Sequence, residues 1–473
     1  MSEKSKGKML QEELFLKHKN TWEYVEEDEF NKIFQMGEDY KEFLNVGKTE
    51  RKATKEIIRR AEEKGFKPLE KILETGKKIK AGDKIYFNNK NKGVALFVIG
   101  KEDMEKGMNI IGSHIDSPRL DLKQAPLYED SNLALLKTHY YGGIKKYQWV
   151  SIPLSLHGIV IKKNGEEIEV EIGEDEKDPV FLITDLLIHL AKDQMAKTLD
   201  EGIAGEGLNI IAGSIPYKEK DLDNKIKLNI LNTLYQKYGI TESDFLTAEI
   251  EAVPSGKARD VGLDRGLISS YGHDDRVCAY TSLKAILDMD IPERTSVGLF
   301  VDKEEIGSVG STGMHSQFFE NAVAEILGKD SNLIKFKRTL SNSRMLSADV
   351  AAGFDPNYPE AFEKNNSAVV GNGISLIKYT GSRGKGGSND ANAEFIGYVS
   401  RIFDENKVVW QTGELGKTDQ GGGGTIAYIL ANYGMDVVDC GVPVLSMHAP
   451  YEIVSKGDVY ETYKGYKYFY LSK

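Results

Sequence analysis

Residues 274–302, DDRVCAYTSLKAILDMDIPERTSVGLFVD, decide the fold because they join a predicted helix to a predicted buried strand. The helix occupies 274–289, and the apolar run at 295–302 has the length of a strand that is covered on both faces. A strand, a helix opened by glycines and another strand are predicted next, at 372–381, 421–434 and 442–449. This alternation of helices and strands favours an α/β domain with a largely covered sheet.

The amino-terminal part of the chain fits the same class. The first 65 residues are rich in Lys and Glu, with apolar residues at helical spacing, and they predict two or three amphipathic helices. Two apolar runs flank the turn-forming stretch NNKNKG at 88–93, which predicts a pair of strands within 84–100. The short apolar run at 109–115 predicts one more strand, which we expect to be buried.

The middle of the chain has a different texture, which predicts an inserted domain. Strand patterns fill 149–173, where Asn164-Gly165 is typical of a hairpin turn. One helical stretch is predicted at 179–194. The chain therefore divides into the first part of one domain, an insert, and the second part of that domain, at 1–117, 118–257 and 258–473.

Composition and charge exclude several classes of protein. The 473 residues are 40% hydrophobic and 29% charged, as in ordinary globular proteins of two or three domains. The net charge of −11 argues against a nucleic-acid partner and against an anionic membrane surface. No apolar run reaches the roughly 18 residues of a membrane span, and no apolar segment follows the first lysines, so we expect a cytoplasmic protein. The only cysteines, Cys278 and Cys440, are predicted to be buried thiols, which suits a reducing compartment.

Short polar clusters follow the predicted buried strands, where open α/β sheets place their functional sites. In GSHIDSP, at 112–118, His114 and Asp116 are two residues apart on an extended chain and therefore point to the same side. A carboxylate in that position can orient an imidazole and fix its tautomer, as beside metal-bound histidines. Taken alone, such a pair more often contains a structural histidine than a functional one.

Two pairs of adjacent acids occupy comparable positions. Asp274 and Asp275 begin a predicted helix, where they could also act as a helix cap and a first-turn acid. Glu304 and Glu305 follow the strand at 295–302. Adjacent acids at the mouth of a buried strand are costly unless a cation binds them, which favours a metal site.

Two further residues complete a possible metal-binding set. Asp349 follows an apolar approach in LSADVAAGFDPN, and His448 lies on the predicted strand at 442–449. The combined set has two histidines and three carboxylates: His114, Asp274, Glu305, Asp349 and His448. Such a set suits two divalent ions that share a bridging carboxylate, with Glu304 left free to transfer a proton. This pattern is typical of a metal-assisted hydrolase.

Five motifs, in order, resemble bacterial members of the aspartyl aminopeptidase family of dinuclear zinc metallopeptidases: HIDSPRL, DDRVCAYTSLKAI, DKEEIGS, SADVAAGFDPNYPE and GVPVLSMHAPYE. The resemblance covers nearly the whole chain, including the insert. It implies a peptide substrate, from which a dinuclear metal-hydroxide mechanism releases the amino-terminal residue. It also implies a three-layer α/β/α catalytic domain at 1–117 and 258–473, and a β-rich dimerisation domain at 118–257. The assembly implied is a cytoplasmic homo-oligomer built from dimers, a tetrahedral dodecamer.

The resemblance also implies a role for each candidate residue. Asp274 would bridge two divalent ions, zinc in the first place, with manganese or cobalt as alternatives. One ion would be completed by His114 and Asp349, and the other by Glu305 and His448. The general base would be Glu304, and Asp116 would orient His114. The insert would lend His189, in the stretch DLLIHLAKDQ, to the active site of a neighbouring subunit.

Substrate preference and the alternatives to a peptidase stay open at this point. The glycine-rich tracts 381–390 and 419–425 lack the spacing of a phosphate-binding loop, so we interpret them as loops close to the substrate. Arg383 and Lys385 could receive an acidic side chain, but the tract differs in length from acidic-specific members, and a neutral first residue is equally open. The alternatives are a related dinuclear aminoacylase or dipeptidase and a catalytically silent assembly or cargo protein. The intact Glu304 favours an enzyme.

Overall fold

The computed structural model describes residues 5–16, 19–381 and 383–473, and it confirms the mixed α/β class. In chain order, the α-helices α1 to α14 are Lys6–Leu14, Thr21–Tyr24, Glu27–Val46, Glu50–Glu63, Leu69–Glu74, Lys192–Met195, Leu199–Gly202, Lys225–Tyr238, His273–Leu287, Phe318–Leu327, Leu333–Ser341, Ala393–Glu405, Ala427–Ala431 and Lys456–Leu471. The strands β1 to β22 are Lys67–Pro68, Lys84–Asn88, Val94–Val98, Asn109–His114, Arg119–Asp130, Leu133–Tyr141, Leu154–Ile161, Glu167–Ile172, Ile210–Gly213, Ala248–Pro254, Arg259–Val261, Leu267–Ser270, Ser296–Val301, Arg344–Ser347, Ala351–Ala352, Ile374–Ile377, Trp410–Thr412, Gly416–Lys417, Gln420–Gly421, Asp436–Gly441, Pro443–Leu445 and Glu452–Ser455.

The largest sheet has nine strands in the order β1-β2-β3-β13-β4-β14-β20-β16-β17. Its centre is parallel, because β4 runs parallel to both β13 and β14, and β14 runs parallel to β20. Adjacent parallel strands end at the same edge of a sheet, so the segments that follow β13, β4 and β14 lie side by side.

Both faces of this sheet are covered by apolar side chains. Ile110 and Ile111 are adjacent on β4 and fully buried, yet they belong to two separate core clusters. Residues of α3, α4, α9, α12 and α14 fill the cluster of Ile111, and residues of α5, α10 and α13 fill that of Ile110. Burial on both faces explains the near-continuous apolar runs of the central strands.

The insert forms a sheet of its own, in the order β8-β7-β10-β5-β6-β9. All its pairings are antiparallel, and Trp149 is fully buried in a third core cluster that α8 helps to close. The predicted hairpin is confirmed, since β7 and β8 pair across a turn in which Gly165 has φ of 85°. A smaller sheet, β11-β12-β22-β21-β15, follows the insert and leads into the site described below.

Three sequence predictions of local structure are wrong. The stretch 179–194 is not one helix: it is irregular, with a short 3₁₀ turn at Ile188–Leu190, and α6 begins only at Lys192. Phe181 and Ile183 pack into the core of the insert, whereas the apolar side chains at 186–190 are exposed, so the stretch has no single buried helical face. The helix predicted at 421–434 is only the short α13, since its glycines form a loop. The strand predicted at 442–449 ends with β21, and His448 lies beyond it in a turn, with φ of 64°.

The amino-terminal region is helical. Four helices, α1 to α4, begin within the first 65 residues, although α2 is a single turn. Within the described residues, no helix combines the length and hydrophobicity that crossing a bilayer requires. Cys278 and Cys440 are buried and unpaired, as predicted.

Candidate active site

The ends of three parallel strands bring the predicted site residues together. His114 is the last residue of β4, and Asp349 follows β14 by two residues. Glu304 and Glu305 follow β13 in a 3₁₀ turn, which Lys303 enters with φ of 69°. Because β4 lies between β13 and β14, the imidazole of His114 is placed between the acids of the two flanking segments.

Asp274, at the start of α9, lies at the centre of the cluster. One of its carboxylate oxygens, Oδ1, is 3.1 Å from His114 Nε2, and the other, Oδ2, is 3.2 Å from His448 Nε2. The same two imidazole nitrogens lie 3.8 Å from Asp349 Oδ1 and 3.6 Å from Glu305 Oε2, respectively. A single carboxylate therefore spans two histidine-acid pairs.

The other nitrogen of each imidazole is held by a hydrogen bond, which leaves Nε2 facing Asp274. His114 Nδ1 donates to the backbone carbonyl of Asp116, at 3.0 Å, with the Asp116 carboxylate 3.3 Å away. His448 Nδ1 donates to the backbone carbonyl of Gly143, at 2.8 Å. With Nδ1 engaged in these hydrogen bonds, Nε2 is the nitrogen left to bind a metal ion.

Asp116 is buried and fully engaged. The Tyr141 hydroxyl donates to its Oδ2 at 2.8 Å, and the backbone amides of Glu304 and Glu305 approach its two oxygens at 3.2 Å each. Burial beside this carboxylate raises the pKa of Tyr141, so the phenol stays protonated and acts as the donor. Hydrogen bonding to His114 outweighs burial and lowers the pKa of Asp116.

The Glu304 side chain lies at the edge of the cluster and faces the cavity. Its Oε2 is 3.9 Å from His114 Nε2, and the side chain lines an open cavity of about 400 Å³. Burial, with neighbouring Asp116 and Asp274, raises the pKa of Glu304 to about 7. A carboxyl group with a pKa near neutrality can both accept and donate a proton, which is what a general acid-base requires.

The cluster contains more carboxylates than its neighbouring donors and histidines can neutralise. Burial raises the pKa values of Asp275, Glu305 and Asp349 well above the ordinary range. Buried Asp275 Oδ1 and Glu305 Oε1 have no hydrogen-bond partner. Hydrogen bonds to His114 and His448 outweigh the burial of Asp274 and lower its pKa. Buried carboxylates without donors need protons or cations, so the donor set fits divalent metal ions.

The geometry contains two compact groups of possible ligand atoms. In one, single atoms of His114, Asp274 and Glu305 all lie within 4.8 Å of one another. In the other, the same holds for His114, Asp275 and Asp349. From the sequence, Asp275 is predicted only as a helix-capping or first-turn acid, although its position beside Asp274 in the same motif is a usable signal.

Sequence reasoning also missed two residues that hold the site together. Glu452, on β22, accepts hydrogen bonds from the backbone amides of Asp274, at 3.0 Å, and His448, at 2.8 Å. It lies in the quoted motif HAPYE, four residues after His448, so a signal was present. Tyr141 comes from the insert, and nothing in its local sequence indicates that it meets Asp116.

Three predicted residues lie away from the cluster in this chain. His189 is exposed in the irregular segment of the insert. Arg383 is exposed, and Lys385 lies over the Tyr379 ring and pairs with Asp390 at 3.1 Å. None of the three is among the residues that line the 400 Å³ cavity.

Among the described residues, none of the remaining histidines lines the cavity. His273 is buried next to Asp274 in sequence, but it bonds to the Tyr40 hydroxyl and to the carbonyl of Ile268. Burial lowers the pKa of His273 to about 3, so this imidazole is neutral.

A covered α/β sheet with histidines and carboxylates at its strand ends defines the class of metal-dependent hydrolases. The profile of the aminopeptidase I zinc metalloprotease family, M18, matches residues 43–470. The chain therefore belongs to the M18 family of zinc-dependent aminopeptidases, which are metalloexopeptidases. This confirms the family, enzyme class and activity predicted from the five motifs.

Individual relatives agree with that assignment. The chain is 54% identical over 459 residues to a probable M18 family aminopeptidase 1 of Clostridium acetobutylicum, covering 97% of this chain and 99% of the relative. A crystal structure of an M18 aminopeptidase from Thermotoga maritima superposes with a TM-score of 0.92, at 44% identity, covering 96% and 99% of the two chains. The mApe1 dodecamer of S. cerevisiae shares the fold, with a TM-score of 0.73 at 21% identity, covering 92% and 96%.

Proposed function

We propose that this aminopeptidase holds two divalent ions, zinc in the first place, on either side of Asp274. His114 and Asp349 would complete one ion, and Glu305 and His448 the other. The observation that carries the proposal is the placement of the two Asp274 oxygens, 3.1 Å and 3.2 Å from the Nε2 atoms of the two histidines. A carboxylate oriented in this way presents one oxygen to each ion.

The surrounding carboxylates support this assignment. The three ligand carboxylates Asp274, Glu305 and Asp349 are largely buried, and divalent cations would offset their negative charge. When bound, such ions polarise a peptide carbonyl and make a water molecule acidic. Manganese and cobalt accept the same nitrogen and oxygen donors, so the donor set alone does not select zinc.

Glu304 is proposed as the group that moves the proton. Its carboxyl group faces the cavity, and its pKa, raised to about 7, suits the removal of a proton from water. The same carboxyl group can then deliver that proton to the nitrogen of the departing peptide. Asp116 takes no proton in this scheme, because its oxygens accept hydrogen bonds from Tyr141 and two backbone amides and so orient His114.

We further propose that residues 118–257 are a dimerisation domain, inserted into a three-layer α/β/α catalytic domain made of 1–117 and 258–473. The separate six-stranded sheet and its own core cluster support the boundary. His189 is proposed to complete the active site of a neighbouring subunit, where it would stabilise negative charge on the peptide carbonyl oxygen. Its neighbours Ile188 and Leu190 are 65% and 67% exposed, which supports burial against another copy.

The proposed assembly is a homo-oligomer built from dimers, of which a tetrahedral dodecamer is the largest form considered. The shared fold with a dodecameric yeast relative supports this size. A cytoplasmic location is proposed with it, since Cys278 and Cys440 are unpaired thiols of the kind found in reducing compartments.

A neutral first residue is the proposed substrate preference. The cavity beside the cluster is lined by Ile377, Leu415, Met447 and a glycine loop that includes Gly423. Among the described residues, no lysine or arginine lines it. A substrate side-chain carboxylate would therefore lie near several acids with no basic side chain of the described residues to pair with, which disfavours aspartate and glutamate.

The direct test compares Asp274→Ala with Asp290→Ala, a control at an exposed aspartate on the opposite end of α9. We expect the control to keep two zinc ions per chain and full release of leucine from leucine p-nitroanilide. Asp274→Ala should lose both ions and about a thousandfold or more in activity, because two cations would repel each other without their shared anion. Retention of metal and activity in Asp274→Ala would refute the proposed site.

A further inference from the structure

The segment Tyr141-Gly142-Gly143 connects the insert to both candidate histidines. Tyr141 ends β6 of the six-stranded sheet, and the two glycines follow it directly. No other part of the insert supplies a hydrogen bond to the cluster among the described residues. Three consecutive residues thus join two sheets that have separate cores.

The Tyr141 end of the segment acts on His114 through Asp116. The phenol hydroxyl donates to Asp116 Oδ2 at 2.8 Å, and Asp116 Oδ1 is 3.3 Å from His114 Nδ1. Arg119 on β5 is the cross-strand partner of Tyr141. Its guanidinium group packs on the Tyr141 ring, with the guanidinium carbon 3.8 Å from the ring centroid. Arg119 in turn is held by Asp121 at 2.8 Å.

The Gly143 end acts on His448 directly. Its carbonyl accepts the Nδ1 hydrogen bond at 2.8 Å, and a Cβ placed on Gly143 would lie only 3.3 Å from that nitrogen. Gly142 has φ of 73°, a left-handed conformation that favours glycine, and a Cβ there would lie 3.2 Å from Glu305 Oε2. The two glycines therefore let the backbone approach the cluster closely enough to bond.

We infer that Tyr141 and the Gly143 carbonyl are positioning groups that set the orientation of His114 and His448, so that the insert forms part of the metal centre. This inference rests on the proposed two-ion site. Partners on the outer nitrogen of a metal-binding histidine typically change metal affinity 10- to 100-fold when they are removed. The insert would then tune metal binding from within its own chain, independently of any contact that His189 makes with another subunit.

The test uses Tyr141→Phe, which removes one hydroxyl and keeps the ring stacked on Arg119. Tyr140→Phe is the matched control, because its side chain is 42% exposed and lies on the opposite face of β6. Apo-protein is titrated with Co²⁺, and the visible absorption of the bound ion reports both affinity and coordination geometry. We expect Tyr141→Phe to weaken one Co²⁺ ion about 10- to 100-fold, with a shifted absorption band, while Tyr140→Phe matches wild type.

A second variant addresses the other ion and guards against a folding defect in Tyr141→Phe. Gly143→Ala places a methyl group against His448 and should weaken the ion that Tyr141→Phe leaves unaffected. Circular dichroism and the melting temperature of each apo-variant separate loss of metal from loss of fold. If both variants fold and bind two Co²⁺ ions with wild-type affinity and spectrum, the inference is wrong.

His114→Ala separates this inference from the proposed function. One outcome is that His114→Ala loses an ion while Tyr141→Phe and Gly143→Ala bind both ions as wild type does. That result would support the two-ion site and would contradict only the role of the insert. If His114→Ala itself binds both Co²⁺ ions as wild type does, the proposed site is wrong, and the inference falls with it.

Discussion

The cluster around Asp274 and the segment around His189 are opposite kinds of structure. Asp274 is only 3% exposed and its carboxylate contacts both histidines, whereas Leu187, beside His189, is 54% exposed and lies in an irregular stretch. The first region is complete within one chain because strand ends hold it in place. The second has apolar side chains with no core of their own, which indicates a partner surface. One chain therefore carries the proposed metal-binding groups, and a second copy would supply the proposed oxyanion donor.

Glu304→Gln gives the largest expected effect within the buried region. The amide keeps the size of the side chain but cannot accept the proton, so kcat should fall about 100- to 10,000-fold while zinc content stays at the wild-type level. Glu305→Gln is the matched comparison, and it should instead lose one ion. Metal analysis with steady-state kinetics checks both variants, and equal metal loss in the two would show that their roles are misassigned.

His189→Ala tests the exposed region with a smaller effect. Removal of one donor to a developing oxyanion costs about 100- to 1,000-fold in kcat. Because His189 lies outside the cluster, zinc content and melting temperature should match the wild type. A wild-type kcat in a correctly assembled oligomer would remove His189 from catalysis.

Mixing the two variants distinguishes a site completed by a neighbour from one completed within the chain. After dissociation and random reassembly of equal amounts, half the sites have an intact Glu304, and half of those face a neighbour with an intact His189. Activity should therefore recover to about a quarter of the wild-type activity, because each subunit of a symmetric oligomer both supplies a histidine to a neighbour and receives one. Oligomers shown by mass spectrometry to be mixed, but still inactive, would rule out sharing between subunits.

Substrate preference gives the smallest effect. With no lysine or arginine among the described residues that line the cavity, leucine substrates should exceed aspartate substrates by about tenfold or more in kcat/KM, which corresponds to roughly 1.4 kcal/mol. Arg383→Met and Lys385→Met should leave that ratio unchanged, since Lys385 is already paired with Asp390. An enzyme that prefers aspartate, and loses the preference in either variant, would instead place these basic residues in the pocket.

The fold was predictable where a segment meets its own core. The alternation in 274–302 gives α9 and β13 because their apolar residues pack within one domain, and Asn164-Gly165 gives the hairpin because the turn is local. The helix predicted at 179–194 did not form because Phe181 and Ile183 pack into the insert's core from an irregular segment, while the apolar side chains at 186–190 stay exposed in the described chain. Periodicity cannot report a surface that another molecule would cover.

The sequence predicts which residues gather in the candidate site, but not which residues hold them in place. His114, Glu304 and Asp349 each follow an apolar run, so the strand ends mark them directly. Tyr141 acts on the site through Asp116, 25 residues away, and no local pattern in its own sequence encodes that contact. The pairing of β6 with β5, in which Tyr141 lies opposite Arg119, brings its hydroxyl to Asp116. Glu452 acts through backbone amides, and its only sequence signal is its place in the motif of His448.

Anomalous diffraction from zinc-loaded crystals, collected on both sides of the zinc absorption edge, tests the central claim most directly. We expect two zinc peaks about 3.5–4 Å apart, each next to a different oxygen of Asp274, with His114 at one and His448 at the other. A single peak, or two peaks of which only one contacts Asp274, would contradict it.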